Sequence, residues 1–209
     1  MRLSTLLLAI VWMTAVPVGH AQAVPFNFED HDLTVSKSHP IALSVGYSAM
    51  IGNAPPGECG CFLLNGGSSE ALFHVWKNVA AVVQLTGDHT GNVLQSQQAL
   101  SLVTYMAGPR YSLLMPRRIT VYGQFLAGGM HGFDAYFPRD DAQPNDSANS
   151  LAFSVGGGVE IGISDWLSVR TVEAEFLASH MANDLSGRQR SFRISSGLIF
   201  RFSSNLLNR

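Results

Sequence analysis

The most regular stretch of the chain alternates. Ile41, Leu43, Val45, Tyr47, Ala49 and Ile51 fall on one parity, while Ala42, Ser44, Gly46, Ser48 and Met50 fall on the other. Successive side chains of a strand point to opposite faces, so this segment predicts a strand with one large apolar face and one small face. The same design returns at 151–163, where Leu151, Phe153, Val155, Gly157, Val159, Ile161 and Ile163 oppose Ala152, Ser154, Gly156, Gly158, Glu160 and Gly162. Less clean alternation runs through 62–76, 79–88, 97–114, 117–130, 167–180 and 190–202, which brings the predicted strands to eight.

The connections alternate in kind. Lys77-Asn78, Met115 to Arg118 and Ser164-Asp165 are brief, whereas 52–61, 89–96, 131–149 and 181–189 are longer and polar. The Pro, Asp and Asn content of 131–149 argues against regular strand there. Short turns at one end and long loops at the other are the layout of a transmembrane barrel. In hydrocarbon each unpaired backbone group costs several kcal/mol, so strands span a membrane only as a closed barrel.

Composition weighs on which face is outside. The 209 residues are 46% hydrophobic and 13% charged, against about 25% charged in ordinary soluble domains. A soluble eight-stranded barrel turns its apolar face inward and needs a charged exterior; here the minority face is small and polar, and charge is too scarce to coat an exterior. Mean hydropathy is +0.16. The net charge of −2 provides no basic field for nucleic acid. The expectation is an all-β, eight-stranded antiparallel up-and-down transmembrane β-barrel over 41–202. Trp76 and Trp166 sit beside proposed short turns, where an indole can meet headgroups and hydrocarbon together.

Residues 1–23 read as a signal peptide: Arg2 supplies the positive charge, Leu6 to Val16 the apolar core, and Ala21-Gln22-Ala23 the small-x-small cleavage site. Pro17, Gly19 and His20 cut the apolar run short of the roughly 20 residues a spanning helix needs. Residues 24–40 are expected to form a short periplasmic arm and 203–209 a C-terminal tail, neither long enough to fold alone. Cys59 and Cys61 flank Gly60 after the turn-rich Pro55-Pro56-Gly57. In an exported chain a strained disulfide stapling that loop is favoured over a metal site, because a lone Cys-x-Cys lacks a second ligand pair.

Five segments carry a family likeness: CFLLNGG (61–67), TYMAGPRYS (104–112), VYGQFLAGG (121–129), FSVGGGVE (153–160) and SGLIFRF (196–202). They resemble the small eight-stranded outer-membrane β-barrel proteins of the OmpA-like, porin-like class of diderm bacteria, in its acidobacterial form. The resemblance implies an outer-membrane location, membrane lipid as surroundings, a monomer and contact with the barrel assembly machinery during insertion. It also implies that Ser195, Gly197, Phe200 and Phe202 form the assembly signal, although this chain continues for seven residues, SSNLLNR, beyond Phe202. Such relatives are mostly structural or of unknown role, and a few are lipid-modifying enzymes.

The interior of an eight-stranded barrel is just wide enough for side chains to fill it, so an open pore is not expected. Parity turns Glu160, Glu173 and Glu175 inward. Arg193 and Arg201 oppose the apolar face of the last strand, and Arg110 follows a Gly-Pro break. Buried carboxylates need cations, so these six predict an ionic network that plugs the lumen. Leu167 and Val169 share parity with Glu173 and Glu175, which requires a bulge near Arg170.

A barrel hydrolase would need a nucleophile and a histidine base converging at the rim. His89, His131 and His180 fall near the long loops, but none lies in the His-x-Ser arrangement of lipid-deacylating barrels. The expectation is therefore no catalytic site, no cofactor and no metal, with a structural or surface-interaction role. A lipid-modifying enzyme and a narrow ion channel are the alternatives.

Overall fold

The computed structural model describes residues 40–53, 61–91, 99–137, 145–180 and 189–202. The signal peptide, nearly all of the arm, Cys59 and the tail lie outside the described residues. Eight strands follow one another: β1 (Ile41–Asn53), β2 (Cys61–Trp76), β3 (Val79–Thr90), β4 (Leu100–Met115), β5 (Ile119–Phe137), β6 (Asn145–Gly162), β7 (Leu167–Ser179) and β8 (Gln189–Phe202). Each pairs antiparallel with its neighbours in sequence, and β1 pairs with β8, so the sheet closes as an up-and-down barrel. Closure leaves no strand edge unpaired.

The pleat sorts the side chains as the alternation predicts. Val45, Tyr47, Leu85, Tyr105, Phe125, Val155, Phe176 and Leu198 are exposed outward, while Ser44, Ser48, Gln84, Thr104, Gln124, Ser154 and Ser195 are buried inward. Trp76 and Trp166 are exposed at the short-turn end, the latter stacked on Phe200 at 6.3 Å. The short connections turn through left-handed backbone at Lys77 (φ 32°), Arg117 (φ 66°) and Arg118 (φ 60°).

Three details correct or sharpen the sequence reading. The segment 131–149, expected to be irregular, is largely strand: β5 runs to Phe137 and β6 starts at Asn145, with His131 opposite Asn149 and Phe133 opposite Ser147. Ladder pairing uses backbone groups, so polar side chains do not forbid it. Only Pro138 and Pro144 are true breakers, and the strands stop just short of them. The hairpin is kinked by a register shift between Phe133 and Phe137, within which Asp134 takes φ 65°.

Gly108-Pro109 is likewise no break. The β4–β5 ladder passes from Ala107–Ala127 to Arg110–Gln124 in one register, and Pro109 lies opposite Ala81 of β3. The bulge expected near Arg170 is present. Glu160 pairs with Arg170 and Val159 with Val172, leaving Thr171 as the extra residue, and β8 registers the same insertion between Arg170 and Glu173. Thr171 and Val172 both face outward, so Arg170, Glu173 and Glu175 all face the axis.

Candidate functional site

The chemistry-bearing side chains gather on the barrel axis. Every strand turns small or polar residues inward, and the space they leave is filled by a few long charged residues. Arg110 of β4, with 1% of its surface exposed, donates to Glu70 at 2.7 Å and lies 3.5 Å from Glu160. Arg170 of β7 reaches Glu70 at 2.7 Å, Glu173 at 2.6 Å and Glu160 at 3.4 Å. Arg193 of β8 holds Glu175 through Nη2 at 2.6 Å and Nε at 2.9 Å. Arg201 sits lower, near the short turns, 3.6 Å from Glu160 and donating to Ser168.

Neutral groups join these pairs into one network. Gln124 accepts from Arg110 and donates to Glu175 at 3.0 Å, and Gln84 accepts from Arg193 at 2.7 Å. Tyr122 donates to Glu173, and the Arg110 guanidinium lies 3.9 Å above its ring. Room for that ring comes from β6: a Cβ at Gly158 would press on it. Among these described residues four arginines face four glutamates, so the cluster balances its own charge. That balance matters because an ion buried without a partner costs several kcal/mol. Asp88 is also buried inward and accepts from Ser48 at 2.6 Å.

The six residues expected in the lumen, Glu160, Glu173, Glu175, Arg193 and Arg201 from parity and Arg110 from the Gly-Pro break, meet in this network. Glu70, Arg170, Gln84, Gln124 and Tyr122 were not singled out. Glu70 lies in a strand of weak alternation, and Arg170 lies at the bulge itself; only the inward parity of Ser68, Glu70 and Leu72 signals the former. An apolar layer that the alternation does not signal lies above the network. Met50, Leu64, Leu102, Met130 and Leu177 turn inward nearer the long-loop end, each at most 4% exposed.

Outside the lumen, a smaller polar cluster lies at the long-loop rim. Nδ1 of His89 is 2.9 Å from Ser101 Oγ, and Ser101 donates to Asp134 at 2.8 Å. His131 donates to Asn149 at 2.8 Å and stacks on Phe133 at 5.8 Å. His180 directly follows β7, is exposed, and donates its backbone N–H to the Leu151 carbonyl at 3.3 Å. Cys61 opens β2 with an exposed thiol that has no disulfide partner among the described residues, and the expected pairing with Cys59 lies outside them. On β8, Ser195 faces the axis, Gly197 faces Gly46 across the β1 seam, and Phe200 and Phe202 lie on the outer side. No group of three or more His, Cys, Asp or Glu suited to a metal ion occurs among the described residues.

No family model and no curated protein matches the chain. Solved structures do. The crystal structure of Neisserial surface protein A aligns at a TM-score of 0.63 and 11% identity, over 80% of this chain and 100% of that one. Ail, the attachment invasion locus protein of Yersinia pestis, aligns at 0.51 and 16%, over 79% and 99%. The outer membrane protein OprG from Pseudomonas aeruginosa aligns at 0.52 and 7%, over 80% and 98%. At such identities the likeness is one of architecture, and the chain has the fold of the small eight-stranded outer-membrane β-barrels.

Proposed function

We propose that the chain is an integral protein of the bacterial outer membrane whose lumen is closed and whose role is structural or carried at the cell surface by its long loops. The observation that carries this reading is the inversion of the faces. Exposed Leu, Val, Phe and Tyr ring the outside while ionic side chains fill the axis, an arrangement stable when the exterior meets acyl chains. The fold shared with outer-membrane barrels supports the location, as do the signal-like N-terminus and the aromatic end of β8. In this reading the surrounding lipid is the chain's main partner, the assembly machinery inserts it by way of Ser195, Gly197, Phe200 and Phe202, and it acts as a monomer.

Two layers support closure of the lumen. The Arg/Glu network fills mid-height, and Met50, Leu64, Leu102, Met130 and Leu177 lie between it and the loops, where an apolar constriction resists wetting. The surface role is supported by the long-loop end, where function on a rigid scaffold is usually displayed. In planar bilayers the reconstituted protein is expected to give no ohmic conductance. Stable open-channel steps would overturn the closed-lumen reading, and recovery of native protein from the aqueous phase without detergent would overturn the membrane reading.

A further inference from the structure

Most of the barrel exterior is a belt of large side chains, but over β4–β6 it is dented. A concavity of about 600 Å³ lies there, within the roughly 300–1,000 Å³ typical of ligand sites. Its floor is β5, where Ala127 and Gly129 carry almost no side chain. Tyr105 of β4 forms one wall, and Leu151 and Phe153 of β6 form the other. The Tyr105 ring leans over Gly129, where any Cβ would strike it. The dent is polar only toward the long loops, where Asn149 is held by His131.

We propose that this dent binds one acyl chain of an outer-leaflet lipid, with the lipid's polar head seated against Asn149 and His131. The inference rests on the membrane reading above and adds a ligand to it. Its walls continue the exposed apolar belt, so the medium that covers the belt also reaches the dent. The single polar end stands at the rim, where a headgroup meets water. Four residues from Tyr105 along β4, about 13 Å at strand rise, Ser101 with His89 and Asp134 extends the polar rim.

The test uses full-length mature protein inserted into vesicles of phosphatidylethanolamine and phosphatidylglycerol, extracted in mild detergent and weighed by native mass spectrometry. Wild type is expected to retain one lipid. Ala127→Phe, which fills the floor from outside, is expected to lose it, and Leu85→Phe, elsewhere on the belt, is expected to keep it. Heat-modifiable migration verifies that each variant is folded, and Ala127→Leu carries the same expectation if the larger ring prevents folding. Equal retention by wild type and the filled variants, or none by any, overturns the site. So does a disulfide-linked dimer through Ala127→Cys, which assigns the dent to a second copy. Fatty acid release by wild type that Ser101→Ala abolishes also overturns it, because the rim would then be a catalytic centre. Failure of wild type to enter vesicles sinks the membrane reading itself and is distinct from insertion without a retained lipid.

Discussion

Arg193 and Val155 are opposite cases of one rule. Arg193 is an arginine in its proper place, fully inside and holding Glu175 with two nitrogens. Removing one member of a buried pair strands the other, so Arg193→Met is expected to cost about 3–5 kcal/mol, measured by urea unfolding in lipid vesicles. Adding Glu175→Leu should recover part of that loss, because the stranded charge goes with it. Val155 lies outward in the middle of β6, opposite Phe125 and Phe176. An arginine there is expected to destabilise the inserted barrel by about 2–4 kcal/mol, checked by the same unfolding experiment. The parity of both positions was readable in the sequence. The wider pairing of the network was not, because Glu70 meets Arg110 and Arg170, which are 40 and 100 residues away in the chain.

The strand is the scale at which irregularities acquire meaning. Thr171 is an extra residue in β7 relative to both neighbours, its hydroxyl donating to the Val159 carbonyl at 3.1 Å. Deleting Thr171 leaves Arg170 inward, Val172 outward and Glu173 inward, so the variant is expected to fold and keep its heat-modifiable migration. Deleting Ala174 from the regular stretch has no such escape. A one-residue slip there reverses every side chain on one side of the cut, and the expected outcome is loss of the folded band. The need for this bulge was legible, since Leu167 and Val169 could not share a face with Glu173. The length of the β5–β6 hairpin was not, since its outer rungs are held by backbone pairing between Gly132 and Ala148 and between Phe133 and Ser147, which side-chain propensity does not report. At its kink, Asp134 keeps a left-handed φ of 65° while accepting from Ser101. Asp134→Ala loses the bond and retains the strain, whereas Asp134→Gly loses the bond and relieves the strain. The glycine variant is expected to be the more stable by about 1 kcal/mol, measured as the difference in urea midpoint.

At the scale of the molecule, closure decides everything else. The chain by itself determined that there would be strands, how many, which parity of each would be greasy and which turns would be short, because those properties are local and repeat every second residue. It also determined that the exterior would meet something other than water, because there is too little charge to solvate one. Only the tertiary structure decided which charges pair, since Glu70, Arg110, Glu160, Arg170 and Glu173 come from four strands that share nothing in sequence but a common inward direction. The apolar layer of Met50, Leu64, Leu102, Met130 and Leu177 was decided there too: inward apolar residues look like errors of alternation in one strand, and become a packed layer only when closure brings the strands to one axis.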